Sequence, residues 1–351
     1  VLLSDSNHGP KMNATPIPVT LLTGFLGAGK TTLLNRLLAA PHGERIAVVE
    51  NEFGAVGIDT DLLDSVAVAV VELANGCICC SVRGALHEAL EALLARRDNG
   101  ELAFDRLIIE TTGLADPAPI VQSFFAEETL RERFQLDGVI TLVDAAHFDL
   151  QSGRERVMAS QVAFADRLLI SRTDLVPATA LVGLRERLGF INARAPITYA
   201  DSGAEQWHEL LYIGGFRLDE RGLPAASWCS PAAPRNALGG REPRDDGVRS
   251  IVLEHDAPLD IDAVSGFVDW LLAGYAHDLL RYKGILLIAD EPRRLIFQGV
   301  HRIAGFDYGR PWRADDSGQP AHSRIVLIGR QLPEAILRQR FSATARQAQM
   351  A

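Results

Sequence analysis

The chain has 351 residues, 47% of them hydrophobic, which is enough to bury a sizeable core and to divide into two domains. Its formal charge of −10 sets 45 acids against 35 Lys and Arg with no basic block, which argues against an electrostatic nucleic-acid binder. No apolar run approaches the roughly 20 residues that span a bilayer, and the opening VLLSDSNHGPK lacks the apolar core of a signal peptide, so a cytoplasmic chain with no membrane partner is expected.

Residues 1–15, which precede the first strand-like run, are set aside as a disordered arm or an expression remnant. From there, strand-like apolar runs at 17–22, 45–49, 67–73, 106–109, 139–143, 167–170 and 196–199 alternate with helical patterns at 32–39, 84–97, 119–128, 160–165 and 178–188. This alternation predicts an α/β domain over 16–217, a mainly parallel sheet covered on both faces, with ligand loops at the carboxyl ends of the strands.

The first such loop is GFLGAGKT, Gly24 to Thr31, set between a strand and a helix as a phosphate-binding loop requires. Gly24, Gly27 and Gly29, with Ala28 between them, let successive N–H groups turn inward to phosphate oxygens. Lys30 supplies positive charge, Thr31 offers a hydroxyl to Mg²⁺, and Thr32 continues into a helix whose N-terminal dipole favours anions. A nucleoside triphosphate is the expected ligand.

The second strand ends in ENEFG, Glu50 to Gly54, with Asp59 and Asp61 beyond it. These residues suit Mg²⁺, a second metal or a γ-phosphate switch, the alternative being a solvated acidic turn. The third strand ends in NGCICC. Its three thiols, Cys77, Cys79 and Cys80, are soft ligands for Zn²⁺ or Cu(I), with buried structural cysteines or a redox pair as the alternatives, and a tetrahedral site would need a fourth ligand, for which Glu50 is the nearest-strand candidate. ETTGLADP follows the next strand. There Glu110 is placed to orient Mg²⁺ or its water and Gly113 to offer an N–H to the γ-phosphate. Asp144 ends the strand after that, as a site carboxylate or a helix cap. In SRTD, Asp174 can accept two hydrogen bonds from guanine, while Ser171 and Arg172 replace the asparagine and lysine usual at that motif.

Taken together, GFLGAGKT, ENEFG, NGCICC, ETTGLADP and the later QGV resemble the CobW-type P-loop GTPases, metal chaperones related to the GTPases that insert nickel into hydrogenase and urease. The resemblance runs from residue 17 to about residue 337. It implies a GTPase domain followed by a smaller α+β domain, with GTP controlling the capture or release of a metal. Many relatives carry a histidine-rich tract; here the nine histidines are scattered, which argues against a high-capacity metal store.

Residues 218–248, rich in Pro, Gly, Ala and Arg, read as a linker or mobile loop that includes the isolated Cys229. Strands at 249–254, 279–289, 295–298 and 323–328 with helices at 261–273 and 333–341 predict a C-terminal α+β domain over 249–351. The polar residues of RYKG (281–284) and QGVHR (298–302) are expected on the solvent side of amphipathic strands, with an interdomain or target surface as the alternative. His301 has no second ligand at useful spacing.

The expected function is a GTPase that uses GTP, Mg²⁺ and a thiol-held transition metal, Zn²⁺ with Co²⁺ as the alternative, and delivers that metal to a client metalloprotein. Lys30 and Glu110 are its expected catalytic residues. A P-loop phosphotransferase and a metal-sequestering protein with incidental hydrolysis are the competing classes. Metal- or nucleotide-dependent oligomerisation is left open.

Overall fold

The computed structural model describes residues 15–50, 70–72, 81–148, 155–200, 207–216, 247–312 and 321–346. They fall into two compact units, and residues 187–194 group with the C-terminal one.

The first unit is a sheet of seven parallel strands: β1 (Ile17–Gly24), β2 (Ile46–Glu50), β3 (Val70–Glu72), β4 (Arg106–Glu110), β5 (Phe134–Asp144), β6 (Arg167–Ser171) and β7 (Ile197–Tyr199). Each falls on one of the apolar runs of the sequence. Their spatial order is β3-β2-β4-β1-β5-β6-β7, so the order reverses at β1 and opens a crevice beyond its carboxyl end. Residues on both faces of β1, β4 and β5 are buried, the reason these strands read as unbroken apolar runs. Among the described residues, seven helices accompany them: α1 (Lys30–Ala39), α2 (Ser81–Asp98), α3 (Ala118–Ala126), α4 (Glu128–Arg133), α5 (Glu155–Phe164), α6 (Ala178–Ile191) and α7 (Trp207–Leu211). In α1, Leu33, Leu34, Leu37 and Leu38 form the apolar stripe that packs with Leu22, Ile46, Ile108 and Leu142 of the sheet. That packing fixes where the helix begins, and hence where the phosphate loop points.

Opposite the crevice, Arg106 is 1% exposed and pairs with Glu44 at 2.6 Å and Asp137 at 3.3 Å, with its guanidinium over the Tyr212 ring. Asp137 also accepts the N–H groups of Ile213 and Gly214, fastening the segment after α7 to the sheet. A buried cation with two carboxylates is tolerated because its charge is compensated in place.

The second unit is an antiparallel sheet ordered β11-β10-β9-β12-β8, from β8 (Val248–His255), β9 (Leu279–Leu286), β10 (Arg293–Val300), β11 (Ile303–Pro311) and β12 (Ser323–Arg330). Helices α8 (Ile261–Tyr275) and α9 (Glu334–Ser342) supply Phe267, Leu271 and Phe341 to a core with Tyr282 and Phe297. Asp260 caps α8 by accepting the Ala263 N–H at 2.9 Å.

The C-terminal unit departs from expectation in two places. Strand β11 was not anticipated: IAGFDYGRP holds two glycines and a proline, which an edge strand with an exposed outer rim tolerates. Three polar residues of RYKG and QGVHR are not on the solvent side, although Arg302 is. Arg281, Lys283 and Gln298 are 3%, 2% and 7% exposed, because the face of β9 and β10 opposite Tyr282 and Phe297 is covered as well. Burial depresses the Arg281 guanidinium to about 9. His301 occupies the β10–β11 turn with φ 49°, and its Nδ1 lies 3.3 Å from the Ala276 carbonyl oxygen.

Among the described residues, no helix is long and apolar enough to cross a membrane.

Candidate functional site: a phosphate loop beside two acid-ended strands

The turn between β1 and α1 is the centre of the crevice. Gly24 has φ 138°, and a methyl there would drive into the Leu142 backbone of β5, so the chain leaves β1 through a position that admits glycine alone. Gly27 and Gly29 are left-handed at φ 75° and 96°, and the Ala28 N–H closes a turn on the Phe25 carbonyl at 3.1 Å. Lys30 opens α1 and is 5% exposed, with Thr31 and Thr32 following in its first turn. Successive amides, a buried lysine and a helix N-terminus directed at one hollow suit a polyphosphate.

Two neighbouring strands bring acids to that hollow. Thr31 Oγ1 donates to Glu110 Oε1 at 3.0 Å, and Glu110 is 1% exposed at the end of β4. The pair fits Mg²⁺: both are hard oxygens, and adjacent ligands of an octahedral ion with bonds of about 2.05 Å lie about 2.9 Å apart. Glu50, at the end of β2, is the register partner of Glu110 on β4 and of Glu72 on β3. Register partners in a parallel sheet share a face, so Glu50 stands one strand, about 4.8 Å, from the Glu110 position.

After Glu110 the chain is held close to the loop. The Thr111 N–H donates to the Leu22 carbonyl at 3.0 Å, and Thr111 Oγ1 to Thr23 Oγ1 at 2.9 Å. A methyl on Gly113 would overlap the backbone of Leu26, so glycine lets this segment lie directly against the phosphate loop. On the other side of β1, Ser171 ends β6 and donates from Oγ to the Ala28 carbonyl at 2.7 Å. Sequence reasoning treated that serine as a missing asparagine, whereas its hydroxyl ties β6 to the phosphate loop. Asp174 lies exposed in the 3₁₀ turn Thr173–Leu175, which starts from a left-handed Arg172. Among the described residues Asp144 caps no helix: it closes a turn and pairs with two side chains. Its Oδ1 accepts the Ala146 N–H at 2.9 Å, and its Oδ2 holds Arg172 at 2.7 Å and His147 at 2.9 Å. Arg172 is thus fixed beside Asp174 at the far end of the hollow.

The structure therefore brings together Gly24, Gly27, Ala28, Gly29, Lys30, Thr31, Thr32, Glu110 and Gly113 around one crevice, with Glu50 one strand from Glu110 and Asp174 in the exposed turn after β6. Cys77, Cys79 and Cys80, together with residues 51–54, Asp59 and Asp61, lie outside the described residues. Among the described residues, no three His, Cys, Asp or Glu side chains form a group able to hold a metal ion.

Comparison with known proteins agrees with this geometry. Residues 18–199 match the CobW/HypB/UreG nucleotide-binding domain, and residues 248–345 match the cobalamin synthesis protein cobW C-terminal domain. The chain is 47% identical over 327 residues to the zinc chaperone YjiA of Escherichia coli K12, covering 93% of this chain and 98% of that one. It is 33% identical to the zinc chaperone CobW of Pseudomonas aeruginosa, covering 93% and 91% respectively. The crystal structure of Zn(II)-bound YjiA GTPase from E. coli superposes with a TM-score of 0.74 at 40% identity, covering 95% of this chain and all of the other. A phosphate loop followed by acid-ended strands, a matching nucleotide-binding domain and a matching C-terminal domain establish that this chain belongs to the CobW family of P-loop proteins.

Proposed function

We propose that this protein is a zinc chaperone of the cytoplasm that binds and hydrolyses GTP and passes Zn²⁺ to a client metalloprotein. Two relatives that each match 93% of the chain carry the name zinc chaperone, and one that matches 85% of it carries the name zinc-regulated GTPase metalloprotein activator, which supports both halves of the reading. One observation carries the link between the halves. Glu50, the proposed fourth zinc ligand beside Cys77, Cys79 and Cys80, is in register with Glu110, whose carboxylate takes the Thr31 hydroxyl.

In this reading the backbone from Gly24 to Thr32 cradles the phosphates, and buried Lys30 balances the charge of the outer two. Thr31 and Glu110 would hold Mg²⁺, which would supply positive charge to neutralise the phosphate oxygens. The Gly113 segment presents an N–H to the γ-phosphate, and Asp174 accepts from guanine N1 and N2. Zinc is the cargo, held by thiolates that suit a soft ion. Loss of the γ-phosphate relaxes the segment after β4, and with it the geometry at Glu50 one strand away. The acidic net charge without a basic block supports a protein rather than a nucleic-acid partner.

The test is the Zn²⁺ affinity, measured by competition with a chromogenic chelator in the nucleotide-free, GDP and non-hydrolysable GTP states. A shift of about 5- to 150-fold between nucleotide states is expected, the range of ordinary site-to-site coupling. Affinities agreeing within about twofold would refute coupled delivery and favour plain sequestration.

A further inference from the structure

The segment after Glu110 is not held by the phosphate loop alone. Gln161, on α5, donates from its carboxamide nitrogen to the Gly113 carbonyl at 3.3 Å and to the Ala115 carbonyl at 3.1 Å. Its neighbour Ser160 donates from Oγ to Asp116 Oδ1 at 2.7 Å, and the same carboxylate oxygen accepts the Ala118 N–H at the start of α3. Both α5 residues are 1% exposed. The Gln161 main-chain carbonyl in turn accepts from Thr141 Oγ1 of β5 at 2.8 Å, so the helix is anchored where it grips the segment.

This arrangement has a definite chemistry. A carboxamide nitrogen carries two N–H donors, and the two carbonyls use both. Fixing the oxygens of residues 113 and 115 fixes the Gly113–Leu114 and Ala115–Asp116 peptide planes; the Ala115 N–H in turn donates to the Thr112 carbonyl at 3.0 Å, and that carbonyl shares a peptide plane with the Gly113 N–H, while the backbone of Leu26 blocks the segment from the other side at Gly113. The amide that meets the γ-phosphate is then presented without reorganisation, the condition under which a donor favours one bound state over another. Resting on the reading of Gly113 as the γ-phosphate contact, we propose that Gln161, assisted by Ser160, is the positioning residue that lets this protein distinguish GTP from GDP. Helix α5 is accordingly the element that registers which nucleotide is bound.

The prediction separates positioning from general support of the fold. In the full-length chain, Gln161→Glu places a carboxylate without a donor against two carbonyl oxygens, and Gln161→Met removes the donors at similar size. Both should keep GDP affinity within about twofold. Affinity for a non-hydrolysable GTP analogue should fall about 10- to 100-fold, as for buried carbonyls left without a donor, and kcat should fall by a similar factor. Ser160→Ala, milder and tolerated in a helix, should lower the GTP-to-GDP preference about 3- to 10-fold, which keeps the test decisive if the Gln161 variants misfold. Fluorescent-nucleotide titrations read all three, with Gly113→Ala as the fourth arm. If Gly113→Ala abolishes the preference while the α5 variants retain it, Gln161 has no positioning role and the γ-phosphate reading stands. If Gly113→Ala leaves the preference intact, that reading falls and the role of Gln161 with it. An equal loss of GDP and GTP-analogue binding in the Gln161 or Ser160 variants would likewise overturn the proposal, since it marks a purely structural contact.

Discussion

The replacement of the usual asparagine by Ser171 offers a sharp test of how the crevice is held. Ser171 is 8% exposed and its Oγ sits 2.7 Å from the Ala28 carbonyl, with the Val143 carbonyl at 3.5 Å. In Ser171→Ala the loop loses a neutral hydrogen bond and a buried carbonyl is left without its donor, together a loss of about 1–2 kcal/mol. That loss falls on the conformation that binds phosphate. If the loop then spends most of its time elsewhere, the apparent Kd rises by the inverse of the competent fraction, about 5- to 30-fold. The loss should be the same for GDP and GTP, and for guanine and inosine nucleotides, because the contact lies under the phosphates and not at the base. Ser171→Thr keeps the hydroxyl at a strand end that accepts β-branched residues, so it should restore binding. Titration with a fluorescent GDP, beside thermal melts that verify folding, measures this. A folded Ser171→Ala protein that binds GDP within about twofold of the parent would refute the tether, as would a loss confined to guanine.

Lys30→Ala should abolish nucleotide binding or hydrolysis, because it takes a cation from a site 5% exposed; near-normal GTP turnover by the folded variant would remove the phosphate-loop assignment. Asp174→Asn replaces a two-acceptor group by one carbonyl acceptor, so GTP affinity should fall by about 2–3 kcal/mol while xanthine nucleotides gain, and equal binding of ATP and GTP by the parent would contradict it. Replacing Cys77, Cys79 and Cys80 by serine should erase the nucleotide dependence of Zn²⁺ affinity and spare GTP binding, since hydroxyls do not replace thiolates for a soft ion; chelator competition beside GTP titration checks both. At the far end of the sheet, the Arg45 guanidinium holds the Asp105 carboxyl at about 2, below its ordinary 3.8. A lowered carboxylate stabilises the fold above its unfolded value and loses that contribution as pH falls through about 2, so Asp105→Asn should cost under about 1 kcal/mol at neutral pH for so exposed a pair. In urea unfolding the difference should shrink between pH 4 and pH 2, and a difference that grew on acidification would contradict the assignment.

What the sequence displayed depended on how locally each feature is encoded. The strands of the first sheet were legible as apolar runs, unbroken where both faces are buried as in β1, β4 and β5, and the phosphate loop because its φ requirements select glycine at fixed spacing. Strand β11 was hidden by the glycines and proline that an edge tolerates. Arg281, Lys283 and Gln298 were misread because alternation marks which residues share a face, not whether that face is covered. Gln161 and Ser160 were invisible because their partners lie 48 to 44 residues earlier, and only the packing of α5 against the segment after β4 brings them together. Glu50 was nominated from the order of the strand ends alone, and the register adds only its place in the sheet. It stands opposite Glu110 across a single strand spacing. In the proposed reading, a cargo ion at Glu50 and a nucleotide felt at Glu110 need no long path through the protein, since a shift of either strand end by a fraction of the roughly 4.8 Å spacing would change both ligand sets at once. Adjacency then predicts coupling of about 1–3 kcal/mol, and linkage would require zinc to alter GTP affinity by the same factor as GTP alters zinc affinity.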